Sequence, residues 1–178
     1  SIDHHGRYAF GKQAQVIQWN MARFAESLLP LIHKDPQHSL KLATKTLESF
    51  SQRFNKAQLA MYRKKLGLVD AHKNDSNLVL DLLNLMNKYH ADYTLTFRDL
   101  MEGRQSTELF QNAEGKRWLN IWRQRLCIAG KPDEDSLKLM IRANPLIIPR
   151  NYWIEQAIHQ GMDGDLSLCN ELIVAFRD

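Results

Sequence analysis

The sequence predicts an all-α fold, a single bundle-like domain of seven or eight helices. Leucine occurs 25 times and valine four times among the 178 residues, and only eight residues are glycine. Leucine favours helices, whereas valine favours strands. Apolar residues also recur at steps of three and four along most of the chain, which is the spacing of one helix face. We therefore expect residues 1–178 to form one helical domain.

The first two helices are expected over residues 13–33 and 37–66. Pro30 predicts a kink or a late stop in the first helix, and Gly67 ends the second. The face of the first helix is formed by Ile17, Met21, Phe24, Leu28 and Leu31. The face of the second is formed by Leu40, Ala43, Leu47, Phe50, Phe54, Ala57 and Met61. Both series keep to helical spacing, so each segment is predicted to be amphipathic.

The third helix is expected to begin near Asp75 or Ser76, either of which can accept hydrogen bonds from the free amides of the first turn. Its inward residues are Leu78, Leu82, Leu85 and Tyr89. A shorter helix follows over residues 92–101, and Gly103 closes it.

The second half of the chain shows the same kind of pattern. A helix over residues 114–129 stops at Gly130, and the next begins with Pro132 and acidic residues that suit a helix N-terminus. That helix must finish before Asn144-Pro145, and residues 144–149 are expected to be an extended connector. A helix over 151–160 and a last one after the 163–165 turn complete the domain.

Charge gives a weak attraction to polyanions. Lys and Arg exceed Asp and Glu by 24 − 20 = 4, and both signs are interleaved. The basic stretch 116–125 contains Trp118 and Trp122, and basic residues among aromatics can bind nucleic acid. The favoured interpretation is a helix whose tryptophans are core and whose arginines are solvated, because no basic footprint extends over the domain.

Motifs for catalysis or metal binding are not found in the sequence. It contains no glycine-rich phosphate loop, no nucleophile elbow and no CxxC pair, and its longest apolar runs are far shorter than a membrane span. Cys127 and Cys169 lie in helical patterns and are expected to be small core residues of a protein from a reducing cytosol. We assign no catalytic, cofactor-binding or metal-binding residue within this chain.

Two polar clusters stand out instead. The first is Asp3, Gly6, Arg7 and Tyr8, directly before the first helix. The second is Asn144, Pro145, Arg150 and Asn151. The guanidinium of Arg150 offers five donors in a rigid fork, and Asn151 can cap the helix that follows. The simplest interpretation is that each cluster fixes a loop against the bundle, and the alternative is direct contact with a ligand.

These clusters belong to stretches that resemble the SelO/YdiU proteins. In order along the chain, the stretches are 3–10 with Gln13, 18–26, 65–68, 92–94 with 96–98, Trp118 with 122–123, Asn144-Pro145, 150–152 and 156–158. Departures from the family pattern occur at Lys12, Ala14, Leu95 and Pro149. The resemblance extends over nearly the whole chain.

The resemblance implies a kinase-like fold and transfer of AMP from ATP to protein hydroxyls. The family's phosphate loop, paired lysine and metal-binding carboxylates lie upstream of the segment that begins here, so this chain resembles the C-terminal helical portion of a longer enzyme. ATP and Mg²⁺ are implied for the parent only, and the partners would be the missing N-terminal catalytic half and protein substrates. Arg7 and Arg23 are expected to anchor an activation-type loop against the first helix.

The resemblance implies further expectations. A bacterial parent would be cytoplasmic, a eukaryotic relative could be mitochondrial, and no membrane contact is expected. No regulatory disulfide is expected within this chain, because Cys127 and Cys169 do not match the family's redox positions. A stand-alone helical module that binds protein or nucleic acid is the alternative function, with the 116–125 stretch as its only support.

Overall fold

The computed structural model describes residues 5–7, 9–104, 106–128 and 134–176. These ranges contain helices and no strand, which confirms the all-α prediction. After a 3₁₀ turn at Phe10–Lys12, the helices are α1 (Gln13–Ile32), α2 (Pro36–Glu48), α3 (Phe50–Lys65), α4 (Asp75–Lys88), α5 (Tyr93–Glu102), α6 (Glu108–Gln111), α7 (Ala113–Ile128), α8 (Glu134–Ala143), α9 (Asn151–Met162) and α10 (Ser167–Ala175). Contacts divide the chain into two compact units, Ser1–Met61 and Tyr62–Asp178, and the expectation of a single domain stays a prediction.

The long helix expected over 37–66 is wrong in one respect, because Ser49 divides it into α2 and α3. Ser49 keeps right-handed helical angles, and its hydroxyl donates to the Thr46 carbonyl at 2.8 Å. Such bonds compete with the regular helix bonds while leaving the apolar spacing intact. The spacing alone therefore does not reveal the break. The late stop near Pro30 is confirmed, because α1 ends at Ile32.

The prediction that Asp75 or Ser76 caps the third helix is also wrong. The N-cap residue of α4 is Asn74, and no side chain caps this end. The Asp75 carboxylate accepts a hydrogen bond from the His72 amide at 2.8 Å instead. The other oxygen of the Asp75 carboxylate accepts from an arginine of a distant helix, so neither oxygen caps α4.

Other helix ends agree with the sequence. The Asp92 side chain caps α5 by accepting from the Leu95 amide at 2.9 Å, and Gly103 closes the helix with a φ of +66°. Helix α8 ends at Ala143, directly before Asn144-Pro145. The predicted signals at Gly130, Pro132 and Asp133 lie outside the described residues.

Unit Ser1–Met61 is built on a hairpin of α1 and α2. The Asp35 carboxylate caps α2 by accepting from the Gln37 amide at 3.0 Å, with Pro36 in the first turn. The Ser39 hydroxyl donates to the Leu29 carbonyl at 2.5 Å and ties the two helices together. Helix α1 itself buries no residue.

Unit Tyr62–Asp178 has a core of its own. Its buried apolar side chains are Tyr62, Leu66, Leu68, Leu78, Val79, Leu82, Met86, Phe97, Leu100, Leu109, Phe110, Trp118, Leu119, Trp122, Met140 and Ala157. Apart from Leu66 and Leu68, which lie between α3 and α4, they belong to helices α3 to α9, and each of these helices buries at least one apolar side chain. Helices α4 and α7 pack together in this core, and α9 packs with α10.

Two tryptophans of α7 lie at the centre of that core. The rings of Trp118 and Trp122 stack 6.1 Å apart with 9° between their planes. The Trp118 indole nitrogen donates to the Leu78 carbonyl and the Trp122 nitrogen donates to the Leu66 carbonyl, both at 2.9 Å. Each buried indole N–H is thereby satisfied, as burial requires. Both rings are structural and have no free face for a nucleic-acid base.

The start of α7 packs closely against α6 at Gly115. A Cβ added to Gly115 would lie 1.9 Å from the Leu109 carbonyl oxygen, far inside contact distance. The Asn112 side chain supports this approach, because its amide donates to the Leu109 carbonyl at 2.7 Å and its oxygen accepts from the Gly115 amide at 2.8 Å. Glycine is therefore required at this position by the spacing of the two helices.

Candidate functional site

The first predicted cluster forms around Trp19, near the start of α1. The Arg7 guanidinium lies 5.0 Å from the centre of the Trp19 ring, and the Arg23 guanidinium lies 5.8 Å from it. Arg23 also pairs with Glu26 at 2.5 Å. Cation–π contacts at exposed positions such as this are each worth about 0.5–1 kcal/mol. We call this group the Arg7–Trp19–Arg23 cluster.

The chain enters that cluster through a turn at Gly6. Gly6 has a φ of +64°, and its carbonyl accepts from the Ala9 amide at 3.1 Å. A positive φ is accessible to glycine without the strain that a side chain brings. Asp3 and Tyr8, which were predicted beside Arg7, lie outside the described residues. Trp19 lies in the stretch 18–26 that carries the resemblance, but the sequence does not predict its contact with either arginine.

The second predicted cluster is divided between two separate interactions. Asn144 bonds reciprocally with Lys65, because the Asn144 amide donates to the Lys65 carbonyl at 2.9 Å and the Lys65 ammonium donates to the Asn144 Oδ1 at 3.2 Å. The same ammonium donates to the Ala143 carbonyl at 2.9 Å. These bonds connect the last residue of α3 to the end of α8, so Asn144 holds two helix ends together.

Burial shifts the pKa of Lys65 and of two tyrosines near it. The Lys65 ammonium lies 5.0 Å from the centre of the Phe97 ring and 5.4 Å from that of Tyr93. Burial lowers the pKa of Lys65 and raises the pKa of Tyr62 and of Tyr93. Desolvation disfavours the charged form in each case.

Arg150 is the other half of the second cluster and pairs with Asp92 at 3.0 Å. Asp92 caps α5 and Arg150 precedes α9, so the pair links the beginnings of two helices. Burial alone would raise the pKa of Asp92, but hydrogen bonds from the Leu95 amide and from Arg150 lower it overall. Asn151 is the first residue of α9 and not its cap, because the N-cap position belongs to Arg150 and no side chain caps this end.

An ionic centre that the sequence did not predict lies at the start of α4. The fully buried Asp75 carboxylate accepts from Arg63 Nε at 2.7 Å and from Arg125 Nε at 2.8 Å. Arg125 is itself buried and donates through Nη2 to the Asp70 carbonyl at 2.5 Å. The centre joins α3, α4 and α7, and we call it the Asp75 ion cluster.

The electrostatics of the Asp75 ion cluster favour the ionised form of the Asp75 carboxylate. Burial by itself would raise the pKa of Asp75, but hydrogen bonds from Arg125, the His72 amide and Arg63 outweigh burial and hold the pKa below its ordinary value. A buried carboxylate with this many charge-assisted donors is stable only as an ion. The sequence signal was weak, since the two arginines lie 12 and 50 residues from Asp75.

These arrangements are structural in character. The buried charged groups Asp75 and Arg125 are engaged with each other, and Lys65 is engaged with backbone and amide oxygens. Within the described ranges, no group of three or more His, Cys, Asp or Glu side chains is placed to hold a metal ion. Helices in those same ranges include none that is both long enough and apolar enough to cross a membrane.

Two further features bear on the sequence predictions. The arginines interleaved with Trp118 and Trp122 separate into Arg125, which is buried, and Arg117 and Arg123, which are exposed. The tryptophans of the stretch 116–125 lie on a core face, as expected. The expectation of solvated arginines is right for Arg117 and Arg123 and wrong for Arg125, which is buried against Asp75. Both cysteines are free thiols. The expectation that both are small core residues is wrong for Cys127, which is exposed, and Cys169 is half-buried.

Comparison with known proteins gives a family for the chain. Residues 1–177 match the family profile described as "Protein adenylyltransferase SelO". A "Protein nucleotidyltransferase YdiU" of Pelagibacter ubique is 43% identical over 179 residues, which cover 100% of this chain and 37% of that protein. Proteins of the same name from Nitrosococcus oceani and Bacillus mycoides are 43% and 40% identical, covering 97% and 100% of this chain and 36% and 37% of their own lengths.

The chain thus spans about 37% of the length of the curated relatives it matches. The matched residues include both predicted polar clusters and the Asp75 ion cluster. Because the profile covers nearly all of it, the chain belongs to the SelO/YdiU family.

Proposed function

We propose that this chain forms the C-terminal helical region of a protein adenylyltransferase, which transfers AMP from ATP to Ser, Thr or Tyr hydroxyls of proteins. The observation that carries the proposal is the family match over residues 1–177. In this proposal the chain supports the active-site loops and is not catalytic by itself. In the parent protein, ATP and Mg²⁺ bind outside this chain. That remaining part of the parent is the partner of the chain, and other proteins are the substrates.

The chemistry of nucleotide transfer explains why this chain would support the active site while other parts of the parent carry out catalysis. Such transfer depends on positioning the phosphates and neutralising their charge with metal ions, a lysine and carboxylates. The charged groups of the Asp75 ion cluster and half-buried Lys65 have structural roles, because Asp75 is held by two arginines and Lys65 donates to carbonyl and amide oxygens. They support helices and leave phosphate binding to residues elsewhere in the parent.

The Arg7–Trp19–Arg23 cluster is the proposed point of support. Arg7 belongs to the segment that leads into α1, and Trp19 and Arg23 belong to α1 itself. Contact between Arg7 and the Trp19 ring holds that segment against the helix. A loop placed in this way keeps its orientation during transfer, and losses of about 1 Å in positioning are costly to catalysis.

The location proposed for the parent is the cytoplasm of a bacterium, and a mitochondrial location would suit a eukaryotic relative. A nucleic-acid-binding module is the weaker alternative, because both tryptophans of α7 are buried and donate their N–H groups to backbone carbonyls.

Replacing Arg7 with Ala in the full-length gene product tests the proposal. We expect Arg7→Ala to lower AMP transfer from labelled ATP to protein, because the segment before α1 loses its contact with Trp19. The matched control is Arg53→Ala, which removes an exposed arginine of α3. Thermal unfolding of both variants checks that the fold is kept. Equal transfer by Arg7→Ala and the unsubstituted protein would contradict the anchoring role.

A further inference from the structure

Unit Ser1–Met61 leaves most of its apolar side chains uncovered. Among its described residues, only Ser39 and Ala43 are buried. Met21, Phe24 and Leu42 are 46%, 58% and 41% exposed. Two small buried side chains cannot supply the core that a unit of this size needs to be stable alone. The unit therefore needs a surface outside itself to cover these helices.

The uncovered residues line a groove between α1 and α2. Met21, Phe24 and Leu28 follow one another at steps of three and four, so they share one side of α1. Leu42 and Leu47 of α2 form the opposite wall, and the groove has a volume of about 320 Å³. The lining is apolar apart from Thr46 and contains no charged side chain. We call this surface the α1–α2 groove.

We propose that the α1–α2 groove is the surface on which the part of the full-length protein outside this chain packs. The inference rests on the proposed function and names the partner of this helical region. The relatives extend well beyond the match, because 100% − 37% leaves about 63% of their length outside it. A segment of that size has a core of its own and can bury an uncharged groove with apolar side chains.

The groove and the Arg7–Trp19–Arg23 cluster occupy different sides of α1. Trp19 precedes Met21 by two positions, which places it on the other side of a helix. Covering the groove therefore leaves the cluster accessible to the segment before α1. One helix then serves two purposes, since its apolar side attaches the unit and its cationic side holds a loop.

A photo-crosslinking experiment in the full-length gene product tests this inference. The photoreactive amino acid p-benzoylphenylalanine is placed at position 24, in the groove, and in a matched protein at position 15. Gln15 is exposed, and it lies on the other side of α1 from Phe24. After irradiation, crosslinked peptides are identified by mass spectrometry, and AMP transfer is measured separately on the unsubstituted protein.

We expect position 24 to crosslink within one molecule to peptides outside residues 1–178, at several times the yield from position 15. Crosslinks to residues 62–178 of the same molecule would overturn the inference, because the groove would then be covered by this chain itself. Crosslinks that join two copies of this region would also overturn it and make the groove a dimer interface. Equal yields from both positions would overturn it as well, as would a gene that encodes only these 178 residues. If the expected crosslinks form but no AMP is transferred, the docking surface stands and the proposed activity fails.

Discussion

Replacing Asp75 with Asn would remove the negative charge from a carboxylate that two arginines hold in the interior. Asn has nearly the same size as Asp, so the packing of α4 against α7 is kept. The Asp75 side chain is fully buried and Arg125 is 7% exposed. In Asp75→Asn, the Arg125 guanidinium therefore stays buried without a counter-charge, and one of its N–H groups faces an amide in place of a carboxylate.

The expected magnitude follows from those contacts. Asp75 accepts from Arg63 Nε, the His72 amide and Arg125 Nε at 2.7 to 2.8 Å, and from Arg125 Nη2 at 3.4 Å. Breaking a buried ion pair on one side costs about 3–5 kcal/mol. For a protein of this size, each kcal/mol lowers Tm by about 2–4 °C, so we expect a loss of about 6–20 °C.

The assay is thermal and urea unfolding of the chain followed by circular dichroism. Asp81→Asn is the matched control, because Asp81 is an exposed carboxylate on the same helix. The control should change the free energy of unfolding by less than about 0.5 kcal/mol. If Asp75→Asn unfolds at the same temperature and urea concentration as Asp81→Asn, the Asp75 ion cluster does not stabilise the fold as argued.

Three more predictions concern acidity, packing and nucleotide binding. Because the folded pKa of Asp75 lies below its ordinary value of 3.8, the stability it contributes is present above that pH and is lost as the pH falls through the folded pKa. Unfolding measured from about pH 5 to about pH 2 should therefore show a steeper decline in the unsubstituted chain than in Asp75→Asn, which keeps the decline due to other carboxylates such as Asp92. Gly115→Ala should lower the free energy of unfolding by more than 2 kcal/mol, since its Cβ would lie 1.9 Å from the Leu109 carbonyl oxygen, whereas Gly11→Ala, which has open space around it, should cost less than about 1 kcal/mol. Excess Mg-ATP should leave the Tm of this chain unchanged, because no nucleotide-binding residue is assigned within it. If a site were present and ATP stood at 100 times its Kd, binding would add about 2.7 kcal/mol to the free energy of unfolding.

Each of these has an outcome that would count against it. Equal acid sensitivity in Asp75→Asn and the unsubstituted chain would mean that another carboxylate governs the decline. A mild effect of Gly115→Ala would mean that α6 moves aside at little cost. A rise of several degrees with Mg-ATP would reveal a nucleotide site within the chain, and the chemistry would then have been assigned to the wrong part of the parent.

The sequence predicts best where local rules act alone. Asp92 and Gly103 bound α5 as expected, because a capping carboxylate and a left-handed glycine each work within one helical turn. Trp118 and Trp122 were correctly expected in a core face, since their spacing matches one side of α7. Periodicity reports which side of a helix is apolar, and in the larger unit that side is buried.

What the sequence does not predict depends on distant parts of the chain. Arg125 reaches Asp75 across 50 residues, and Asn144 reaches Lys65 across 79, so neither pairing leaves a local pattern. Helix α1 shows the converse limit. Its apolar face was predicted correctly, but Met21 and Phe24 remain exposed because periodicity does not say what covers a face.

The four tryptophans also act as built-in optical reporters. Trp118 and Trp122 are 3% and 6% exposed in the larger unit, whereas Trp19 of the smaller unit and Trp153 of α9 are 53% and 50% exposed. Indole emission shifts to longer wavelength on contact with water, so unfolding of the α7 region changes the spectrum strongly and loss of α1 changes it little. A Trp19→Phe, Trp153→Phe double variant would remove the two exposed indoles, and the fluorescence of the chain could then follow α7 without a label.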